Sequence, residues 1–221
     1  MQKTFLSGKI VGLRKPDLDL DIMQGEWHEW FNDYDTTQYL VHGLFPVSRE
    51  EEYEIVKKNL NCSDSLILTI TDIQSEDILG VISLMSIDHI NRRAEIAIVM
   101  GKRSTKIGAA VEAMALLTHH AFDRLNLEKI YAGQHESLWK WVNTLELIGY
   151  QIEGYRKKYG RRNCNSYGIV LTGVTVEKFN DLREQRNGDI LNNDVADLLR
   201  KRCKTNRIPK LAEYLDLISS I

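Results

Sequence analysis

The stretch Glu95–Ala113, EIAIVMGKRSTKIGAAVEA, constrains the chain more than any other. Ile96, Ile98 and Met100 alternate with Glu95, Ala97 and Val99, the two-residue period of a strand whose faces meet different surroundings. Gly101 to Gly108 then holds Lys102, Arg103, Lys106 and the pair Ser104-Thr105. From Gly108 onward Ala109, Ala110, Glu112, Ala113, Met114 and Ala115 favour helix. A strand that turns through a glycine into a helix aims unpaired backbone N–H groups at one point, where the helix dipole adds partial positive charge. The stretch therefore predicts a phosphate or pyrophosphate site.

Around it the chain reads as α/β. Strands are expected at 8–14, 66–71, 79–86, 129–132, 150–156 and 166–171, and helices at 20–32, 48–60, 108–125 and 137–147. Ser48 with Glu51 forms a capping-box pattern, and Gly149 is placed to end a helix. The segment 157–162, KKYGRR, reads as a basic turn. From Val176 the composition changes to charged amphipathic segments at 177–185, 194–204 and 210–219, with breaks expected at Gly188 and Pro209. The expected organisation is one domain over 1–175 and a helical extension over 176–221.

Thr105-Lys-Ile-Gly108-Ala-Ala110 resembles the acyl-CoA-binding signature of the GNAT N-acetyltransferases, Gln/Arg-x-x-Gly-x-Gly/Ala. The agreement continues without a gap through Glu112-Ala113-Met114, Ala121-Phe122, Asn126-Leu127-Glu128-Lys129-Ile130 and Gly149-Tyr150 to Glu153-Gly154, as in the ribosomal-protein-acetylating branch of that family. The resemblance covers about residues 8–173. It implies a GNAT fold, with a mixed, mostly antiparallel sheet flanked by helices, and it implies acetyl-CoA as co-substrate. The pyrophosphate would be held by Arg103, Thr105, Lys106, Ile107, Gly108, Ala109 and Ala110. The pantetheine arm would pair with Ile98, Val99 and Met100, beside a bulge at Gly101. Thr105 departs from the usual Gln or Arg, and Lys102 and Arg103 lie nearby to compensate.

The implied reaction is attack of a primary amine on the thioester. A protonated amine is not a nucleophile, so a base must take its proton. The resemblance gives that role to Glu95. The competing reading pairs Glu95 structurally with Arg92 or Arg93. The family's tyrosine acid falls on Leu145, and its Asn and Ser positions on Leu138 and Trp141, which leaves either water or a substitute, His135 or Glu136, to protonate the thiolate. The first two helices flank the acceptor cleft in this family, so Trp27, Trp30 and Phe31 are either its walls or core. Acceptors consistent with the resemblance are an amino sugar, a polyamine or a protein amine. A non-catalytic interaction module acting through the C-terminal helices stays open, and so does a homodimer.

Composition narrows the partners. The net charge of −2 gives no bias towards nucleic acid, so a nucleic-acid partner is not expected. No apolar run is long enough to span a bilayer, so no membrane role is expected. Cys62, Cys164 and Cys203 are far apart and odd in number, which suits reduced thiols and a cytoplasmic location. His119-His120 are adjacent rather than four apart and no HExxH is present, so no metal is expected.

Overall fold

The computed structural model describes residues 3–40, 45–101, 106–191 and 195–219. Met1–Ile130 and Tyr131–Ile221 each form a compact unit.

In the first unit, strands β1 (Leu6–Ser7), β2 (Val11–Arg14), β3 (Leu66–Asp72), β4 (Ile78–Asp88) and β5 (Arg93–Met100) lie side by side in chain order. All four neighbouring pairs are antiparallel. The β4–β5 register runs unbroken from Gly80↔Met100 to Met85↔Glu95, and its shift falls between Met85 and Asp88. The bulge expected at Gly101 is therefore absent from this pairing, because the Gly101 N–H continues the ladder to Leu79 C=O at 2.8 Å.

The helix expected over 20–32 is interrupted. A π-helical turn covers Leu18–Met23, and α1 begins afresh at Trp27–Asn32. The break comes at Gly25, where a Cβ would lie 2.3 Å from the Asp21 carbonyl oxygen. Asp21 is itself buried and cannot move aside: it takes both Arg14 guanidinium nitrogens at 2.7 Å and the Thr69 hydroxyl at 2.8 Å. After α2 (Tyr34–Thr37), α3 spans Arg49–Leu60 with the anticipated Ser48/Glu51 capping box formed. Ile22, Trp27, Trp30, Val56 and Val81 form a core on one side of the strands. The other strand face carries the buried Ile82, Leu84 and Ile96 and is covered by α4 (Ala109–Asp123), which contacts β1, β2 and β5.

In the second unit β6 (Lys129–His135), β8 (Asn165–Thr175) and β7 (Gln151–Arg162) adjoin in that order, with β7 and β8 antiparallel. The basic segment 157–162 belongs to β7, and the chain reverses instead at Asn163 and Cys164, both with positive φ. Clustered, mostly exposed cations beside a glycine on a hairpin arm look like a turn by composition alone. The helix expected over 137–147 is α5 (Trp139–Leu145) between short 3-10 turns. The 3-10 turn before it is capped by the His135 ring, whose Nδ1 accepts the Ser137 N–H at 3.1 Å, and α5 itself has no side-chain cap. Gly149 ends it at φ +93°.

The C-terminal segments form α6 (Val176–Gln185), α7 (Val195–Lys201) and α8 (Ile208–Ser219). Pro209 opens α8 rather than breaking it, since the first helical turn needs no N–H from it. The buried Asn143 amide of α5 donates to Cys203 C=O at 2.8 Å and Thr205 C=O at 3.1 Å, and Arg207 reaches the Asn143 oxygen at 2.9 Å. Phe179 is fully buried, and Ile208 joins Val142 and Val170 in a core cluster.

Candidate functional site

Gly108 is the N-cap of α4 at φ +89°, a left-handed conformation that residues with a Cβ adopt at a cost. The first regular helical bond runs from Glu112 N–H to Gly108 C=O at 2.9 Å, and Ala109 N–H turns back to Lys106 C=O at 3.3 Å. Among the described residues the N–H groups of Gly108, Ala110 and Val111 meet no acceptor, as the first turn of a helix requires. Ala109 is buried and Ala110 half-buried, so a bound group meets backbone rather than long side chains. Ile107 is 70% exposed and adds no packing. Lys106 is ion-paired with the buried Asp72. That contact, with burial opposing it, holds the Asp72 carboxyl below its usual range. The Lys106 cation is thus tied to the end of β3, while its backbone remains in the turn. Arg103 and Thr105, like Lys102 and Ser104, lie outside the described residues.

The start of α4 is fixed from below. Glu112 is 4% exposed, and its carboxylate accepts the backbone N–H groups of Lys9, Ile10 and Val11 at 2.8, 2.7 and 2.8 Å. It anchors the β1–β2 turn to the first turns of α4. Sequence reading took Glu112 as a family marker and missed this role, for which only the glycine at Gly8 gave a hint: a Cβ there would sit 2.5 Å from the Glu112 carboxyl carbon.

Upstream, Ile98, Val99 and Met100 are half-buried on β5, and Gly101 lies against the Trp30 indole, which a Cβ would approach to 2.8 Å. Glu95, Ala97 and Val99 share a strand face with their partners Met85, Ser83 and Val81. Of these, Ala97, Val99, Met85, Ser83 and Val81 line a cavity of about 270 Å³ roofed by α1 and α3. Glu95 continues the same face, half-buried beside Met85. The structural pairing anticipated for it does not form. Arg92 reaches Glu128 and the Asn126 oxygens, and Arg93 reaches Asp88 at 3.6 Å, leaving the Glu95 carboxylate without a partner among the described residues.

The aromatic residues divide between the two readings. Trp27 and Trp30 are core, 2% and 6% exposed and stacked at 6.2 Å. Trp27 and the half-buried Phe31 also line the cavity. A residue not singled out from the sequence joins them. Glu52 of α3 is buried, accepts the Trp27 indole N–H at 3.0 Å, and has its carboxyl pushed up by burial against that hydrogen bond.

In the second unit, Leu145 is fully buried, so the position of the family tyrosine is core. The substitutes are occupied. Glu136 accepts the Tyr155 hydroxyl and the Gly168 N–H, the latter at 2.9 Å. Burial, then Glu136, push Tyr155 up to about 12. The His135 ring stacks on Tyr167 at 4.5 Å, and burial pushes its pKa down, which favours neutral imidazole.

Residues 11–151 match the acetyltransferase (GNAT) domain. The chain belongs to the GNAT family. It is 31% identical over 75 residues to spermidine N(1)-acetyltransferase of Escherichia coli K12, covering 34% of this chain and 40% of that protein's length. An uncharacterized N-acetyltransferase of Bacillus licheniformis is 27% identical over 174 residues, covering 76% of this chain and 93% of that one. Among solved structures, spermidine N-acetyltransferase from Vibrio cholerae, in complex with CoA and spermine, superposes with a TM-score of 0.70 at 22% identity. That match covers 78% of this chain and 99% of the other, a likeness that establishes the shared fold. No described helix is long and apolar enough to cross a membrane.

Proposed function

We propose that this GNAT chain is an acetyl-CoA-dependent N-acetyltransferase acting on a primary amine of a small molecule. The observation that carries the reading is the Glu95 carboxylate, unpartnered among the described residues, on the strand face that continues into the cavity wall at Ala97 and Val99. The turn at Gly108 supports acetyl-CoA as co-substrate: its free N–H groups suit a pyrophosphate, and Ile98, Val99 and Met100 lead towards it. We assign pyrophosphate contacts to Arg103, Thr105, Lys106, Ile107, Gly108, Ala109 and Ala110.

Glu95 takes a proton from the acceptor ammonium, directly or through water, and the freed amine attacks the thioester carbonyl carbon. The tetrahedral intermediate collapses with C–S cleavage. The acetyl group stays on nitrogen, which gives up its second proton to water to become a neutral amide, and the CoA thiolate leaves and takes a proton from water. No side chain is needed for that last step, which fits a core leucine at position 145.

The ungapped resemblance points to the ribosomal-protein-acetylating branch, whereas two of the relatives named above are spermidine acetyltransferases. A largely apolar cavity of about 270 Å³ suits a small amine better than a protein surface, and we place the acceptor there. The free thiols of Cys62, Cys164 and Cys203 favour the cytoplasm. Residues 176–221 then act as a brace beyond the catalytic domain.

Glu95→Gln tests the assignment. Turnover, followed as thiol release from acetyl-CoA, should fall about 10²-fold or more while CoA affinity holds. A folded Glu95→Gln protein with near-parental turnover and an unchanged pH–rate profile removes Glu95 from the mechanism. Failure of the parent to release thiol with any amine, despite binding CoA, favours a non-catalytic module working through the C-terminal helices.

A further inference from the structure

The inward stripe of α3 runs Glu52, Ile55, Val56 and Asn59, spaced so that all four reach the cavity. An ordinary packed helix would place an apolar residue at the first of these positions, as it does at the next two. Among the described lining residues Glu52 is the one ionisable side chain, facing Val81, Met85, Ala97 and Val99. Its Oε1 is held by the Trp27 indole at 3.0 Å, and no described donor reaches Oε2. No cation pairs with it among the described residues. A buried carboxylate without a cation is costly, and an apolar side chain of similar size would pack there without that cost. Burial has raised its pKa in keeping with the missing counter-charge.

We propose that Glu52 is a specificity-determining residue, which binds the non-reacting end of an acceptor that carries two amino groups on an apolar spacer. This rests on the reading of the cavity as the acceptor site. One amino group must be neutral to attack the thioester near β5, so the group paired with Glu52 is the other one. The apolar walls suit a run of methylene groups. A further ammonium in the middle of the acceptor would lie against Val81, Met85 and Val99 with no counter-ion among the described lining residues, a desolvation cost that the neutral Ser83 and Asn59 offset only in part. The class is therefore a linear diamine, in preference to a polyamine with internal amines and to a monoamine of equal length.

Initial rates of thiol release from acetyl-CoA with 1,6-diaminohexane, hexylamine and spermidine test this, in the full-length parent and in Glu52→Gln. Glutamine keeps an acceptor for Trp27 and removes the charge. The parent should favour diaminohexane over hexylamine in kcat/KM by about 10-fold or more, the scale of one charge-assisted contact. It should also favour diaminohexane over spermidine. Glu52→Gln should erase the preference over hexylamine by raising the diamine KM, with kcat and hexylamine kinetics close to parental. The proposal is overturned if diamine and monoamine lose activity by the same factor, if the preference survives the substitution, or if spermidine is the best substrate of the parent. Should Glu52→Gln fail to fold, the parental ranking of the three amines still decides. Calorimetric titration of diaminohexane separates this proposal from the wider one. Glu52-dependent binding without any turnover would sink the acetyltransferase reading and keep the diamine site, whereas turnover of all amines alike would do the reverse.

Discussion

Replacing Glu112 with alanine should be among the most damaging single changes in the chain. The carboxylate accepts three backbone N–H groups at 2.7–2.8 Å, and the Val11 N–H among them is fully buried. A hydrogen bond to a charged group contributes about 1.5–3 kcal/mol, and a buried donor left bare costs about 1–3 kcal/mol. Lys9 is exposed and Ile10 half-buried, so their N–H groups can recover water and the three contributions do not add in full. The net loss should be about 3–5 kcal/mol, a large part of the roughly 5–15 kcal/mol that holds a domain folded. Glu112→Gln should cost nearly as much, because its amide N–H groups would face donors where the carboxylate presented an acceptor. Urea titration followed by circular dichroism gives the free energies. Thermal melts should show a fall of about 10 °C. A loss below about 1 kcal/mol for Glu112→Ala would refute the reasoning and show that the β1–β2 turn is held by its own ladder.

Two further outcomes follow from the site. CoA should raise the parent's thermal midpoint by mass action, and Gly108→Glu should abolish that rise, since it puts a side chain at φ +89° and a negative charge against the pyrophosphate; calorimetry showing parental CoA affinity in Gly108→Glu would move the site elsewhere. Glu52 has a raised pKa through burial, so the folded state binds its proton more tightly than the unfolded one. Its contribution to stability is full below the ordinary glutamate range of about 4.3 and is lost as pH rises through the raised value. Measured by urea titration, the stability of the parent relative to Glu52→Gln should fall between acid and neutral pH; a difference that grows with pH would refute this.

The local sequence determined the elements whose causes are local. The Ser48/Glu51 box starts α3, Gly149 ends the segment after α5, and alternation across Glu95–Met100 makes β5 with the faces expected of it. Gly108 followed by an alanine-rich run made the start of α4 legible, and with it the candidate phosphate turn. Where elements end was less legible when the cause was a distant contact. The chain breaks at Gly25, where its backbone lies too close to the Asp21 carbonyl for a side chain, and Asp21 is held by Arg14 and Thr69 from other elements. The cations of 157–162 continue β7 because β8 lies beside them, with pairing from Gly160↔Tyr167 to Arg162↔Asn165. Side-chain roles divided in the same way. Glu95 could be nominated through the family resemblance, but only the fold shows Arg92 and Arg93 engaged elsewhere and no described residue paired with the carboxylate. Glu52 and Glu112 looked like two more surface acids on helices. Whether a carboxylate meets solvent, three backbone N–H groups or an apolar cavity depends on residues far away in the chain, and no local pattern encodes that choice; the tertiary structure makes it.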